Sequence, residues 1–253
     1  MSDDRAPVRR LLNQVNAEGR STLDPDESRV LCEAYGIPVA REGIAHSPAE
    51  LSRLVREIGF PLVMKIVSAD ILHKTEAGGV IVGVKSSAEA LQAYEKILSN
   101  ARAYKPDAKI DGVLVQQMLT GGQEVIVGAL TDPSFGKVVA FGLGGILVEI
   151  FKDVTFRLAP VSEQEALAML DGISAAEILH GVRGAAAVEP QALARIIVAV
   201  SHIVTDFPEI RELDLNPVFA HRAGAAAADV RVLVDFTSPK ERYRPSQEEI
   251  LQA

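Results

Sequence analysis

Three polar side chains alternate with leucines in the segment ELDLNPVF, residues 212–219. If this segment is a strand, Glu212, Asp214 and Asn216 share one face, because successive side chains point to opposite sides of a sheet. Asp235 stands in a second apolar run, VLVDF, with no local reason to be there. Oxygen donors of this kind suit Mg²⁺, whose shell is usually completed by water and substrate phosphates. The pattern indicates a magnesium site, although the solvent-facing side of an antiparallel sheet has the same alternation.

A single lysine interrupts the apolar strand pattern LVMKIV, residues 62–67. A buried ammonium needs a partner. Lys65 either extends to solvent from a strand end, which is the commoner fate of such a lysine, or binds an anion such as a phosphate.

Downstream, four reactive or polar side chains precede a pair of glycines in the segment HKTEAGG, residues 73–79. An imidazole can act as a base, a metal ligand or a nucleophile, and glycine allows the backbone to approach an anion closely. His73 is therefore a candidate for chemistry, while a solvated loop before a strand would have a similar composition.

The remaining motifs exclude several common sites. The glycines of GLGGILVE, residues 142–149, lack the lysine of a P-loop and run into a strand pattern, so they form either a turn or a loop that covers phosphates. The sequence contains no HExxH, CxxC or Ser/His/Asp triad order. We interpret the other four histidines as structural or exposed.

Four segments carry the signature of a helix start, an oxygen-bearing N-cap residue followed three residues later by Glu. The pairs are Asp24/Glu27, Ser47/Glu50, Ser86/Glu89 and Ser162/Glu165. Short β-branched runs between residues 24 and 118 read as strands, so helices and strands alternate there in an α/β or α+β pattern.

From Glu124 the pattern changes to successive strands with few helices, including GILVEIF at residues 145–151, which predicts a meander on an antiparallel sheet. The segment HRAGAAAAD is predicted to be an exposed hairpin tip. The pair Gly121-Gly122 marks the junction of two lobes.

The composition limits the possible functions of the 253-residue chain. Its formal net charge of -8 argues against general nucleic-acid binding. A single cysteine excludes an internal disulfide and fits a reducing compartment. The N-terminus lacks the apolar core of a signal peptide, and no run reaches the ~20 apolar residues of a membrane span. We expect a cytoplasmic protein without a membrane segment.

Four segments in order resemble one family: VMKIVSADILHKTEAGGVIVGV, LVQQMLTGGQEVIVG, GLGGILVEIFKDVTFRL and ELDLNPV. They are similar to the ATP-grasp portion of the NDP-forming acyl-CoA synthetases, also called ADP-forming acetate:CoA ligases, over about residues 22–237. Succinyl-CoA synthetase β chains are more distantly similar. The resemblance implies an ATP-grasp fold of class α+β (α/β), in which two α+β lobes clamp a nucleotide. The implied domains are an N-terminal extension (1–21), an N-terminal lobe (22–120), a C-terminal lobe (121–240) and a tail (241–253).

The resemblance also implies roles for individual residues. Lys65 would contact nucleotide phosphates, and His73 matches the histidine that accepts phosphate on this chain of the family. The other implied roles are the adenine edge for Gln116, Gln117 and Met118, the ribose hydroxyls for Glu124, and Mg²⁺ for Asp214, Asn216 and Asp235.

The implied reaction is acid + CoA + ATP ⇌ acyl-CoA + ADP + phosphate, with ATP or ADP and Mg²⁺ bound here and a phosphohistidine relay between subunits. The sequence contains no CoA-binding domain of the dinucleotide type, so a separate CoA-binding α subunit is expected, in an α2β2 heteromer by family analogy. Two alternatives are a self-contained ATP-grasp carboxylate-amine ligase and a non-catalytic nucleotide-sensing module.

Overall fold

A computed structural model describes residues 5–145, 153–181 and 186–237. All four predicted helix starts are confirmed, because in each the N-cap side chain accepts a hydrogen bond from the backbone N–H of the predicted Glu. The helices are α1 (Arg5–Ala17), α2 (Pro25–Ala34), α3 (Pro48–Ile58), α4 (Ser87–Tyr104), α5 (Glu163–Asp171), α6 (Glu177–His180) and α7 (Pro190–Asp206). No helix within these ranges is long and apolar enough to cross a membrane.

The strands form two antiparallel sheets. They are β1 (Glu42–Ala45), β2 (Leu62–Val67), β3 (Val80–Val84), β4 (Gly112–Gln117), β5 (Gln123–Asp132), β6 (Gly136–Leu143), β7 (Val154–Leu158), β8 (Ile210–His221), β9 (Gly224–Ala227) and β10 (Val230–Val234). The predicted strand GILVEIF lies outside the described residues from position 146 onward. The antiparallel pairing gives the chain the α+β class.

The first sheet has the order β1-β4-β2-β3. Burial alternates along β2, so Leu62, Met64 and Ile66 pack against α3 and α4. Lys65 consequently points to the opposite face of the sheet. The face that carries Lys65 contacts the second sheet.

The second sheet has the order β10-β8-β5-β6-β7, with β9 paired to the C-terminal half of β8. The meander predicted after Glu124 is present. Its buried face packs against α5 and α7, and α1 and α2 add Val8, Leu12 and Leu31 to the same core. The two N-terminal helices thus stabilise the second sheet, although the resemblance implied an N-terminal extension over 1–21 and an N-terminal lobe from residue 22.

The predicted exposed hairpin tip at HRAGAAAAD is present only at Arg222 and Ala223, and the prediction is wrong for the alanines that follow. Residues 224–227 form β9, and Ala225 and Ala227 are buried against β8. The chain before β1 pairs with this segment, because the Ala40 N–H donates to the Ala227 carbonyl at 2.8 Å.

The junction between the sheets requires glycine. Gly121 and Gly122 both have φ of +74°, the left-handed region that glycine adopts without strain. A Cβ on Gly122 would stand 2.3 Å from the Ala220 carbonyl oxygen. The chain therefore passes from β4 to β5 through a turn that other residues would not fit.

Candidate functional site

A pocket of about 720 Å³ opens between the two sheets. The first sheet, the turn after β2 and the strands β8 and β10 all contribute to it. Its polar lining comprises Glu42, Lys65, His73, Lys74, Thr75, Glu76, Asp214, Asn216, Asp229 and Arg231. Four residues that the sequence singled out, Lys65, His73, Asp214 and Asn216, are thus brought to one pocket of a size typical of small-molecule sites.

Lys65 has a partner on the opposite sheet. Its Nζ donates to both carboxylate oxygens of Asp229, at 2.7 and 2.9 Å. The Lys65 side chain is only 18% exposed, so this ammonium is a paired group within the pocket and does not extend freely to solvent. A cation held at this position can also bind a phosphate.

Asp214 and Asn216 lie side by side on β8, as the alternation predicted. The strand has a bulge here, since Val127 pairs with Leu215 while Val125 pairs with Val218. A bulge changes the direction of a side chain and is common beside active sites. The Asn216 N–H donates to the Asp229 carbonyl at 3.1 Å, which places β8 next to the residue that pairs with Lys65.

The Asp214 carboxylate is in an unfavourable environment for its charge. Burial raises its pKa above the ordinary value, and the neighbouring carboxylate of Glu212 raises it further. Arg231 and a hydrogen bond from Asn216 oppose this shift. A carboxylate in this situation favours an additional cation.

His73 occupies an exposed turn at the rim of the pocket. The turn is closed by backbone bonds from Ala77 to His73 (3.1 Å) and from Gly79 to Lys74 (2.8 Å). The His73 side chain is 71% exposed, and its Nδ1 lies 3.9 Å from Glu76 Oε1. The imidazole is therefore accessible to a second macromolecule.

The glycines after His73 permit close packing. A Cβ on Gly79 would stand 2.5 Å from Ile66 Cγ2, and one on Gly78 would stand 2.7 Å from Asn100 Nδ2. The Asn100 amide donates to the Gly78 carbonyl at 2.8 Å. These contacts hold the turn against β2 and α4.

Comparison with known proteins assigns this chain to a family. The sequence model of the ATP-grasp domain family matches residues 14–234. The β subunit of ADP-forming acetate–CoA ligase I from Pyrococcus furiosus is 46% identical over 232 residues, which cover 92% of this chain and 100% of the relative. The chain belongs to the ATP-grasp family of ADP-forming acyl-CoA synthetase β subunits.

Solved structures support the ATP-grasp assignment. An acetyl-coenzyme A synthetase from Candidatus Korarchaeum cryptofilum, in complex with coenzyme A and Ca-AMPCP, superposes with a TM-score of 0.85 at 41% identity and covers 90% of this chain and 99% of that one. A complex of the same enzyme with Mg-AMPPCP has a TM-score of 0.80 at 38% identity, covers 90% of this chain and 100% of that one, and has its phosphohistidine segment pointing towards the nucleotide binding site. The ATP-grasp fold implied by the four sequence segments is thereby confirmed.

The donor set of this ATP-grasp chain fits an open magnesium site. Asp214 and Asp229 present carboxylates to the pocket, and Asn216 presents an amide. Within the described ranges, no three His, Cys, Asp or Glu side chains form a closed metal cage. Mg²⁺ usually takes one or two protein carboxylates and completes its shell with water and phosphates, so a partial set beside the ammonium of Lys65 is appropriate.

Asp235 is not brought to the pocket of the ATP-grasp chain. β10 pairs Arg231 with Asp214, so Asp235 lies four residues further along, roughly 13 Å at the strand rise. Its carboxylate accepts from the Thr237 N–H at 2.9 Å and from the Thr237 hydroxyl at 2.6 Å. The register of β10, which the sequence could not provide, separates Asp235 from the other two predicted ligands.

The four residues expected around the adenine and ribose also lie outside the pocket lining. Gln117 Oε1 is within 3.4 Å of Arg41 Nε, and the Met118 N–H donates to the Pro61 carbonyl at 2.9 Å. Glu124 is exposed on β5, with its carbonyl accepting from Gly144. Gln116 is buried and hydrogen-bonded within the protein.

Sequence reasoning missed three polar residues of the pocket, Asp229, Glu42 and Arg231. Asp229 ends the alanine-rich segment that was taken for an exposed tip. Counting outward from the turn would have found it, because His221 pairs with Gly224 and, five residues outward on each strand, Asn216 faces Asp229. For Glu42 the sequence offers no comparable signal.

Proposed function

We propose that this chain is the nucleotide-binding β subunit of an ADP-forming acyl-CoA synthetase, which interconverts acid, CoA and ATP with acyl-CoA, ADP and phosphate. The observation that carries the proposal is the single pocket that combines Lys65, the Asp214/Asn216 pair and His73. The similarity to a full-length β subunit of this activity supports it.

Within the proposal, Lys65 binds nucleotide phosphates, and Asp214, Asn216 and Asp229 hold Mg²⁺. The cation, when bound, neutralises charge that the transferring phosphoryl group spreads over its oxygens. Nucleotide phosphates would compete with Asp229 for Lys65, which frees the Asp229 carboxylate for the cation. The pair seen here therefore keeps both groups in place before the nucleotide binds.

His73 is the proposed phosphate carrier. In the direction of ATP synthesis, the P–N bond of a phosphohistidine on the partner breaks as a neutral His73 nitrogen bonds to phosphorus. That second P–N bond then breaks as a terminal phosphate oxygen of ADP attacks, which gives ATP and restores the free imidazole. The exposure of His73 at the rim supports a hand-over between chains.

The proposal includes a separate partner. The relative from Pyrococcus furiosus is named as a β subunit, which implies another subunit in that enzyme. We place a CoA-binding α subunit opposite the His73 turn, in an α2β2 heteromer. A cytoplasmic setting belongs to the same proposal, and its support is the single, buried Cys32.

Labelling the phosphohistidine tests this function. The assembled enzyme is incubated with γ-labelled ATP and Mg²⁺, and acid-labile, base-stable label is measured on this chain. His73→Ala should abolish the label and the overall reaction, whereas ADP binding should remain near the wild-type level. If His73→Ala keeps wild-type turnover, His73 carries no phosphate in the reaction. That result would favour a carboxylate-amine ligase. CoA ligation by the purified chain alone would refute the subunit role.

A further inference from the structure

Gln116 joins three parts of the molecule. It is 3% exposed, at the end of β4, on the face toward the second sheet. Its Nε2 donates one hydrogen bond to the Glu42 carboxylate and another to the Ala228 carbonyl at 2.8 Å. Both amide N–H groups are therefore used inside the protein and are not available to an adenine ring.

The carbonyl that Gln116 holds directly precedes Asp229. The same short segment is fixed one residue earlier, where the Ala227 N–H donates to Pro38 and the Ala227 carbonyl accepts from Ala40, both at 2.8 Å. The only side-chain hydrogen bond that reaches the Ala228 carbonyl among the described residues comes from Gln116. The backbone directly before Asp229 is thus held by a side chain of the opposite sheet.

Glu42 holds Gln116 in turn. The two residues are direct neighbours on β1 and β4. Glu42 lines the nucleotide pocket, and its charge is close enough to interact with both Asp229 and Lys65. Without this carboxylate, the Gln116 amide would keep one partner instead of two and could rotate away from Ala228.

From these contacts we infer that Gln116 is a positioning residue for the cation of the nucleotide site. Glu42 fixes the Gln116 amide, Gln116 fixes the Ala228 carbonyl, and the Asp229 carboxylate is thereby held beside Asn216. This rests on the proposed function, in that Asp229 is one of the groups that hold Mg²⁺. Groups that orient a metal ligand typically change metal affinity by roughly 10- to 100-fold when they are lost.

The test separates cation binding from nucleotide binding. Mn²⁺ replaces Mg²⁺, and its affinity for the ADP-bound chain is measured by electron paramagnetic resonance, while ADP affinity without metal is measured by calorimetry in EDTA. Gln116→Leu should weaken Mn²⁺ binding by roughly tenfold or more and leave metal-free ADP affinity nearly unchanged. If metal-free ADP affinity falls and Mn²⁺ affinity is kept, Gln116 contacts the adenine and the inference is overturned.

Three further variants complete the experiment. Glu42→Leu should reproduce the loss of Mn²⁺ affinity, and it decides the question if Gln116→Leu does not fold. Glu42→Gln keeps an oxygen that accepts from Gln116 and should remain much closer to wild type than Glu42→Leu. Ser201→Ala removes the hydroxyl that accepts a buried hydrogen bond from the Val161 N–H, outside the pocket lining, and should lower the melting temperature without changing Mn²⁺ affinity.

Binding measurements on the wild-type chain distinguish failure of the proposed function from failure of the positioning role of Gln116. If wild type binds neither Mn²⁺·ADP nor ADP, the proposed function fails. If wild type binds both and neither Gln116→Leu nor Glu42→Leu alters Mn²⁺ affinity, only the positioning role fails.

Discussion

The two sides of the pocket are held in place by different kinds of contact. The Lys65–Asp229 pair joins residues 164 positions apart, and Gln116 reaches Ala228 over 112 positions. The His73 turn is closed mainly by backbone bonds between residues 73 and 79. The Lys65 side is therefore sensitive to how the two sheets meet, whereas the His73 side is sensitive to local packing. Substitutions on one side should leave the other side working.

Among the substitutions that test this comparison, the largest effect should follow Lys65→Met, which removes the ammonium from the Lys65 side. We expect turnover of the assembled enzyme to fall roughly 10²- to 10³-fold, the usual consequence of losing a group that stabilises developing charge. ADP affinity measured by calorimetry should fall as well, while the His73 turn keeps its structure. Lys96→Met, at an exposed position of α4, is the matched control and should behave as wild type. Equal effects of the two variants would show that Lys65 binds no phosphate.

A smaller effect should follow Gly79→Ala, which acts on the other side of the pocket. The new Cβ would overlap Ile66 Cγ2 at 2.5 Å, and such overpacking typically costs about 1–3 kcal/mol of stability. Urea denaturation measures this loss. We expect labelling of His73 to slow, while Mn²⁺·ADP binding stays close to wild type. A variant of unchanged stability with wild-type labelling would show that close packing does not fix the turn.

The smallest effect concerns pH and the carboxylate of Glu42. Burial raises its pKa above the ordinary value of 4.5, and Asp229 adds to the shift, while the hydrogen bond from Gln116 and the charge of Lys65 oppose it. The folded state therefore binds the proton more tightly than the unfolded state does. The contribution of Glu42 to the free energy of unfolding is therefore fully present below pH 4.5. This contribution is lost as pH rises through the raised pKa of the folded state.

Glu42→Gln should remove this pH dependence. The free energy of unfolding of wild type and of Glu42→Gln is measured by urea denaturation from pH 4.5 upward. As pH rises, wild type should lose stability relative to Glu42→Gln. A difference that is constant with pH would contradict the partial burial of this carboxylate.

Local signals in the sequence were sufficient for most elements and part of the site. The helix starts at Asp24, Ser47, Ser86 and Ser162 are confirmed because each N-cap hydrogen bond joins residues three positions apart. Alternation on β8 placed Asp214 beside Asn216 for the same reason, since strand geometry is set by neighbouring residues. The order of four motifs identified the family.

Tertiary structure alone decided which distant groups meet. The register of β10 moves Asp235 away from Asp214, and the pairing of β9 with β8 brings Asp229 to the pocket in its place. The meeting of the two sheets commits the Gln116 amide to Glu42 and Ala228. Register and the docking of sheets depend on the packing of whole surfaces, and a shift of one residue turns a side chain to the other face. Composition and spacing along the chain therefore specify the candidate groups for the chemistry, whereas the packed fold determines which of them share a site.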